Sequence, residues 1–453
     1  MSYCKVTVYI TNHNYEKYIK KCIESVLNQS FTNFELIIID DGSTDNSKKI
    51  INQYEKFKKI SIVYQKRKGL NISNNVAIRL SRGEYIIRLD ADDWLEKNAL
   101  NIMVKYLDSN KDRALVFPDY FEVNEDERII KRIKRHNFDK VSLLDQPAHG
   151  ACTMIRRKYL KEIGMYDESF SCQDGYDIWI RLTHKYKVGN VNVPLFYYRK
   201  HTNNLTNNSK RILNTRSLIT KKFIKKIYKK KFSTICIIPV RGKISNTNSV
   251  ALKKLKKKPL ICWSIDNALN SKVINNVVVT SPDKKLLDYL KKIYGKKIEY
   301  INRDKKLGAL NTDLYDTLLD VIKKMKIKNK TFDALMELSI RNPFLSPDNI
   351  DNAVNTLRLF GTDIVVGVEE DNSEFLKHTG GGLRPLRSSE ILRLEKDSLY
   401  KKSEAFNLIR VNKFIKKMDM FNKKVKVGHI MLEEKNSFYL NNEISWKIAN
   451  KVY

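Results

Sequence analysis

The alternation of short apolar runs with amphipathic stretches predicts an α/β chain of two doubly wound domains, each a mostly parallel sheet with right-handed crossovers. At 453 residues the chain exceeds one ordinary hydrophobic core, so two domains are the expectation. The strand–helix rhythm also begins twice, near the N-terminus and again at Ser233, on either side of a basic stretch. The expected boundaries are 1–208, 209–232 and 233–453.

In the first domain, residues 5–10 read as a strand, 16–29 as a helix, 34–39 as a strand and 47–57 as a helix. Strands at 60–64, 85–89 and 114–117 then alternate with helices at 71–80 and 98–108. The run Leu36-Ile37-Ile38-Ile39 is apolar on both strand faces, as in a parallel strand covered by helices on each side.

Two of these runs end in acid. The first leads into Asp40-Asp41-Gly42-Ser43-Thr44-Asp45, the second into Asp90-Ala91-Asp92-Asp93-Trp94. Carboxylates just past a strand's C-terminal end lie at the sheet edge, where open α/β folds bind ligands. Asp-x-Asp suits Mg²⁺ or Mn²⁺ shared with a diphosphate, because both ions prefer carboxylate and phosphate oxygens. One such cluster reads equally well as a turn or helix cap. Two in this order, each behind a strand, are much rarer by chance.

Further segments flank the acids in order: Ile10-Thr11-Asn12-His13-Asn14-Tyr15, Cys22-Ile23-Glu24-Ser25-Val26-Leu27, Lys68-Gly69-Leu70 with Asn75, and Ser81-Arg82-Gly83-Glu84-Tyr85. Together they resemble the family 2 inverting glycosyltransferases of GT-A fold, over residues 4–205. The resemblance implies hexosyl-type transfer from a nucleotide-diphosphate sugar to a glycan, lipid-linked or protein acceptor, in surface glycan synthesis. Such a reaction needs a cation for the departing diphosphate, a carboxylate for the acceptor's proton, and an acceptor held in line. By motif match, Asp92 with Asp90 is the cation site, Asp40 contacts the donor base with Asp41 beside it, and Asn12, Asn14 and Asn75 line the donor.

The base is sought further on. His149-Gly150-Ala151-Cys152-Thr153-Met154 leads to Cys172-Gln173-Asp174-Gly175-Tyr176-Asp177-Ile178-Trp179, which resembles the family's acidic motif before a helix. Asp174 matches the position that deprotonates the acceptor, and Gln173 stands where many relatives carry Glu. An N-cap is the structural alternative for Asp174. Asp177 faces Arg181 one turn later and reads as structural. In Pro194-Leu195-Phe196-Tyr197-Tyr198-Arg199-Lys200-His201, the resemblance makes Arg199 a donor contact and His201 a phosphate or metal contact. A solvated basic loop is the plain alternative.

The second domain opens on Thr234-Ile235-Cys236-Ile237-Ile238-Pro239-Val240-Arg241-Gly242, a strand running into a loop. With Ala334-Leu335-Met336-Glu337-Leu338, Pro343-Phe344, Gly380-Gly381-Gly382-Leu383-Arg384-Pro385-Leu386 and Val427-Gly428-His429-Ile430, it resembles the cytidylyltransferases that activate sialic-acid-like sugars. That family grips nucleotide phosphates with a small-residue loop whose backbone N–H groups reach the phosphates. Here the loop is Arg241-Gly242-Lys243-Ile244-Ser245-Asn246, which keeps only Arg241 and Gly242, with Lys243 as a charge of its own. The metal-binding Asp before a Trp is replaced in Asn441-Asn442-Glu443-Ile444-Ser445-Trp446. A degenerate domain is the expectation. A second active site making a CMP-acid sugar and a non-catalytic binding or homodimerisation module stay open.

Composition bounds the rest. The net charge of +34 reads mainly as compositional, since Lys, Asn and Ile are abundant throughout, and no nucleic-acid-binding motif accompanies it. Residues 210–232 hold ten Lys/Arg and no acid, with apolar residues at helical spacing. That pattern suits a peripheral contact with an anionic membrane or an interdomain helix. No run of eighteen apolar residues occurs, the N-terminus lacks a signal-peptide core, and the six cysteines have no metal or redox spacing. A cytoplasmic protein with reduced thiols is expected, with a peripheral place at the inner face of the membrane left open.

Overall fold

The computed structural model describes all residues except 1–3, 136, 139–149, 202–208, 305, 309–312, 372, 374, 379, 386–398 and 453. It divides into two compact units, Met1–Ile219 with Glu374–Asp397, and Thr220–Ser373 with Ser398–Tyr453.

The first unit follows the expected alternation: β1 (Val6–Asn12), α1 (Ile19–Leu27), β2 (Phe34–Asp41), α2 (Ser47–Asn52), β3 (Ile60–Gln65), α3 (Leu70–Leu80) and β4 (Tyr85–Asp90). Then come β5 (Trp94–Leu95), α4 (Ala99–Ser109), β6 (Arg113–Val123), β7 (Ile129–Ile133), β8 (Met154–Arg156), α5 (Arg157–Glu162), α6 (Asp174–Thr183) and β9 (Lys187–Arg199), followed by α7 (Ser209–Ile227), which only begins in this unit. Among the described residues the sheet order is β3-β2-β1-β4-β8-β6-β9-β5, with β7 on the side of β6. Strands β1 to β4 pair in parallel. Beyond β4 the sheet is mixed, because β8 runs antiparallel to both β4 and β6. β6 is longer than its sequence suggests. Pro118, which has no N–H to give a ladder, sits at a register shift against β9, where the ladder is already irregular.

The core explains the parallel half. Every residue of β1 and β2 is buried, and Val8, Ile10, Leu36, Ile38 and Leu89 pack with Ile19, Ile23, Leu100 and Trp179. Register then sets the site: Asn12 pairs with Asp40, and Thr11 with Asp90, so the first two acidic clusters emerge side by side at one sheet edge.

The helix α7 carries the basic run. Its Ile219, Phe223 and Ile224 are buried and its Leu218 is exposed. The division between the units falls within this helix.

In the second unit the strand Thr234–Pro239 lies between Asn276–Ser281 and Ala334–Leu338, parallel to both. Glu299–Asn302 extends the sheet on one side, and Leu399–Arg410, Ile364–Asp371 and Val427–Met431 extend it on the other. Leu399–Arg410 is antiparallel to both its neighbours. Helices Leu260–Asn270 and Pro347–Leu359 bury Ile261, Ile265, Ile350 and Val354 against one sheet face, beside Cys236, Ile238 and Met336.

Candidate active site

At the end of β1, Asn12 donates to Asp40 Oδ1 at 2.9 Å and to Ser43 Oγ at 3.0 Å. Asn14 takes a left-handed backbone (φ 62°), and its side-chain oxygen accepts from Thr44 N at 2.8 Å. These bonds lace the β1 loop to the loop after β2. Asp40 is fully buried and also accepts from Ser43 N at 3.2 Å. Asp41 turns the other way, accepting the Lys68 and Gly69 amides, both at 2.8 Å, and so ties down the entry to α3. Gly42 (φ 72°) has to be glycine, because a Cβ there would lie 2.6 Å from Arg67 N.

The second acidic cluster is brought to Arg199 and His201, over a hundred residues away in sequence. His201 Nε2 lies 2.9 Å from Asp92 Oδ2, and its ring stacks on Tyr18 with centroids 5.8 Å apart. Arg199 is buried and fully engaged: it donates to Asp92 O at 3.1 Å and Glu125 O at 2.9 Å, and pairs with Glu127 at 3.1 Å. Its amide donates to Asp93 at 3.0 Å. Asp93 itself is buried, and that burial, with the charges of Asp92 and Asp90, pushes its carboxyl well above the usual range. Asp90 is shifted upward for the same first reason, against the pull of Arg88.

Asp90 Oδ1 and Asp93 Oδ2 are buried oxygens without an aligned hydrogen bond. Asp90 and Asp92, with the His201 imidazole beside Asp92, are of the chemical type that a hard divalent cation takes. Among the described residues, no group of three or more such side chains is already assembled as a cage. A magnesium-type ion is commonly held by one or two carboxylates and completed by phosphate and water.

Asp174 is the first residue of α6, yet its side chain does not cap the helix. It forms an ion pair with Arg88, which sits in β4 two residues before Asp90. The same guanidinium places Nε 2.9 Å from Asp90 Oδ1 and Nη2 3.3 Å from Asp90 Oδ2. The Nε contact is an ion pair rather than an aligned hydrogen bond. Gly150 makes room for this contact, since a Cβ there would stand 2.9 Å from Arg88 Nη2 and 3.3 Å from Asp174 Oδ2. Gln173, just before Asp174, adopts φ 59° and ψ 30°; its side-chain oxygen accepts from Arg216 Nε at 2.7 Å. Asp177 pairs with Arg181, as its spacing suggests, and Arg181 also holds the Ile163 and Met165 carbonyls.

Asn75 stands apart from these groups. Its amide donates to Tyr166 O at 3.0 Å and Glu168 at 2.8 Å and accepts from Tyr166 N at 2.9 Å. Its donors and acceptor are thus spent on bracing the segment 166–168 against α3, which leaves little for a donor. His149, which opens the motif before Asp174, and Leu386 of the glycine-rich stretch lie outside the described residues.

Sequence reasoning passed over Arg88, Asp93 and Arg216. For Arg88 a signal was present: a charge within the apolar run Tyr85-Ile86-Ile87-Arg88-Leu89 cannot be buried without a partner.

In the second unit, Arg241 precedes the short helix Gly242–Ser245. The Lys243 amide donates to Asp283 Oδ2 at 3.0 Å, and Asp283 Oδ1 caps the helix Lys284–Tyr294 through Leu286 N at 3.2 Å. Gly242 (φ 70°) packs so closely that a Cβ would lie 2.3 Å from that of Asp283. Arg303, buried nearby, donates to Thr317 and to Val240 O, both at 3.0 Å; burial and the neighbouring Arg241 charge lower its pKa to about 10. Asn442 caps the last helix in a reciprocal capping box with Ser445, and Glu443 is exposed.

Residues 7–164 match the family model "Glycosyl transferase family 2", and residues 235–439 match "Cytidylyltransferase". A glycosyltransferase of Methanocaldococcus jannaschii is 32% identical over 204 residues, covering 43% of this chain and 70% of that protein. The chondroitin synthase of Escherichia coli is 31% identical over 182 residues, 39% of this chain and 26% of the synthase. The chain thus spans about a quarter of the synthase's length. Residues 1–349 of S. aureus TarS align with 49% of this chain and 65% of that structure, at 18% identity and a TM-score of 0.39. The chain belongs to glycosyltransferase family 2, and behind its first domain it carries a segment that matches the cytidylyltransferase model.

Proposed function

We propose that the first domain transfers a sugar from a nucleoside-diphosphate donor, with inversion, to a glycan, lipid-linked or protein acceptor in the building of a surface glycan. The observation that carries this reading is the convergence of Asp40, Asp90, Asp92 and Asp174 at one edge of the parallel sheet, set by strand register and by the Arg88 bridge. In this reading Asp40, with Asn12 and Asn14, forms the wall against which the donor's base rests. Asp92, Asp90 and His201 would hold Mg²⁺ or Mn²⁺, which would neutralise charge on the departing diphosphate. Asp174 takes the proton of the attacking hydroxyl; its Oδ2 is held by Arg88, which leaves Oδ1 for that proton. Arg199 acts from behind, fixing the backbone of Asp92 and the side chain of Asp93.

The second domain is read as degenerate. Asp283 supports this: a protein carboxylate already takes the Lys243 amide, in the loop that would otherwise present its N–H groups to a triphosphate. The helix cap at Asn442, in place of a metal-binding Asp, points the same way. A binding or dimerising role then remains for this domain. The run 210–232 offers lysines to an anionic membrane surface, but Ile219, Phe223 and Ile224 are buried in protein and are not available as an apolar anchor. Among the described residues no helix is long and apolar enough to cross a membrane.

The test is nucleoside-diphosphate release from a panel of UDP-, GDP- and dTDP-sugars with cell-envelope glycan acceptors, with and without Mn²⁺. Mn²⁺-dependent release from one or a few donors supports the reading. No release across the panel, together with pyrophosphate release from CTP, would transfer the activity to the second domain.

A further inference from the structure

We propose that Arg88 is a positioning residue that couples the cation site to the base, holding Asp90 and Asp174 on one guanidinium. The inference rests on the reading of Asp90 and Asp92 as cation carboxylates and of Asp174 as the base.

The geometry is specific. Arg88 projects from the end of β4 with a side chain only 5% exposed. Nη1 donates to Asp174 Oδ2, Nε lies 2.9 Å from Asp90 Oδ1, and Nη2 donates to Asp90 Oδ2 at 3.3 Å. The strand holds the residue in register, and the Arg88 carbonyl accepts from Cys152 N at 2.7 Å. Gly150, two residues before Cys152, leaves the space in which Arg88 and Asp174 meet. Tyr9 and Tyr166 complete the surroundings, with hydroxyls 3.5 Å apart; burial pushes both phenols up, so neither competes as an anion.

An arginine stays charged and offers a planar fork of donors, so it can hold two carboxylates at once. A divalent cation arriving at Asp90 competes with Arg88 for the same oxygens. The guanidinium then has Asp174 as its remaining acid partner, and its hold on Oδ2 tightens. Loading the cation is thereby transmitted to the carboxylate that takes the acceptor's proton. Binding linkage is reciprocal. Removing the charge of Asp174 frees Arg88 to bind Asp90 more tightly, which weakens the cation, although Asp174 is not itself a cation ligand.

The experiment is Mn²⁺ binding to the full chain, alone and with UDP, followed by calorimetry and by the loss of the free Mn²⁺ paramagnetic signal. Wild type is compared with Asp174→Asn, Arg88→Met, Arg88→Lys and the double variant Asp174→Asn/Arg88→Met, each checked for folding by its melting curve. Asp174→Asn is expected to weaken Mn²⁺ several-fold, and Arg88→Met to strengthen it. Asp174→Asn is expected to have no further effect once Arg88 is Met. Arg88→Lys, which keeps the charge but loses the fork, is expected to restore only part of the coupling. Removing any positive charge so close to Asp90 strengthens the cation, so the coupling itself is read from the Asp174→Asn effect with and without Arg88. Equal Mn²⁺ affinity in wild type and Asp174→Asn overturns the inference and leaves the cation reading standing, and it decides the matter even if both Arg88 variants fail to fold. The same loss with and without Arg88 also overturns it. No Mn²⁺ binding by wild type overturns both.

Discussion

Asp92 has no substitute in the proposed cation site, because Asp93 is turned to the Arg199 amide and Asp90 is shared with Arg88. Asp92→Ala should therefore abolish Mn²⁺-dependent binding of UDP, read by calorimetry; unchanged affinity in the presence of metal would make the Asp90–Asp92 stretch a turn and nothing more. Glu35 offers a test of stability away from the chemistry. Burial alone would raise its carboxyl, but hydrogen bonds from Thr7 and from the Arg82 amide and guanidinium outweigh that and hold it below the usual range. A depressed folded pKa contributes stability above the unfolded value of about 4.3 and loses it as pH falls through the folded one. Glu35→Gln should thus cost about 2 kcal/mol at pH 7, the scale of a hydrogen bond to a charged group, and progressively less below pH 4. A difference in melting temperature that stays constant down to acid pH would contradict this.

Strand register is what makes the acids a site, and at this scale the sequence was partly legible. The runs before Asp40 and Asp90 announced parallel strands, and strands so buried have one workable register, so Asn12, Asp40 and Asp90 could be expected together. The partners of long excursions could not. That Asp174 meets Arg88, and Asp92 meets His201, depends on loops and antiparallel additions beyond β4, where no periodicity fixes geometry. The extent of β6 was hidden by Pro118, which reads as a strand end until the register shift is seen. Asn75 shows the opposite case: the motif match suggests a donor contact, while its amide clamps Tyr166 through both backbone groups. Asn75→Ala should accordingly destabilise the fold by about 2–3 kcal/mol, leaving buried backbone groups unpaired. Calorimetric binding of UDP and Mn²⁺ to the folded variant should stay within a few-fold of wild type. A stable variant with lost UDP binding would return Asn75 to the donor site.

At the scale of the whole molecule, a family 2 glycosyltransferase segment and a segment matching the cytidylyltransferase model share one chain, and the proposed reading gives catalysis to the first alone. The second keeps a folded core and a loop glycine, with Asp283 bound to the loop amide. The full chain should therefore release little or no pyrophosphate from CTP with nonulosonic acids or Kdo; robust turnover would promote the bifunctional reading, with Arg241 and Lys243 the first residues to change. The central claim is that the first domain transfers sugar with Asp174 as its base, and it is tested most directly by Asp174→Asn in the donor and acceptor pair found by the release screen. The account predicts a fall in transfer of ~10²-fold or more, the scale of general-base catalysis, with binding of the donor nucleotide and Mn²⁺ kept within several-fold. Transfer within a few-fold of wild type would remove Asp174 from the mechanism.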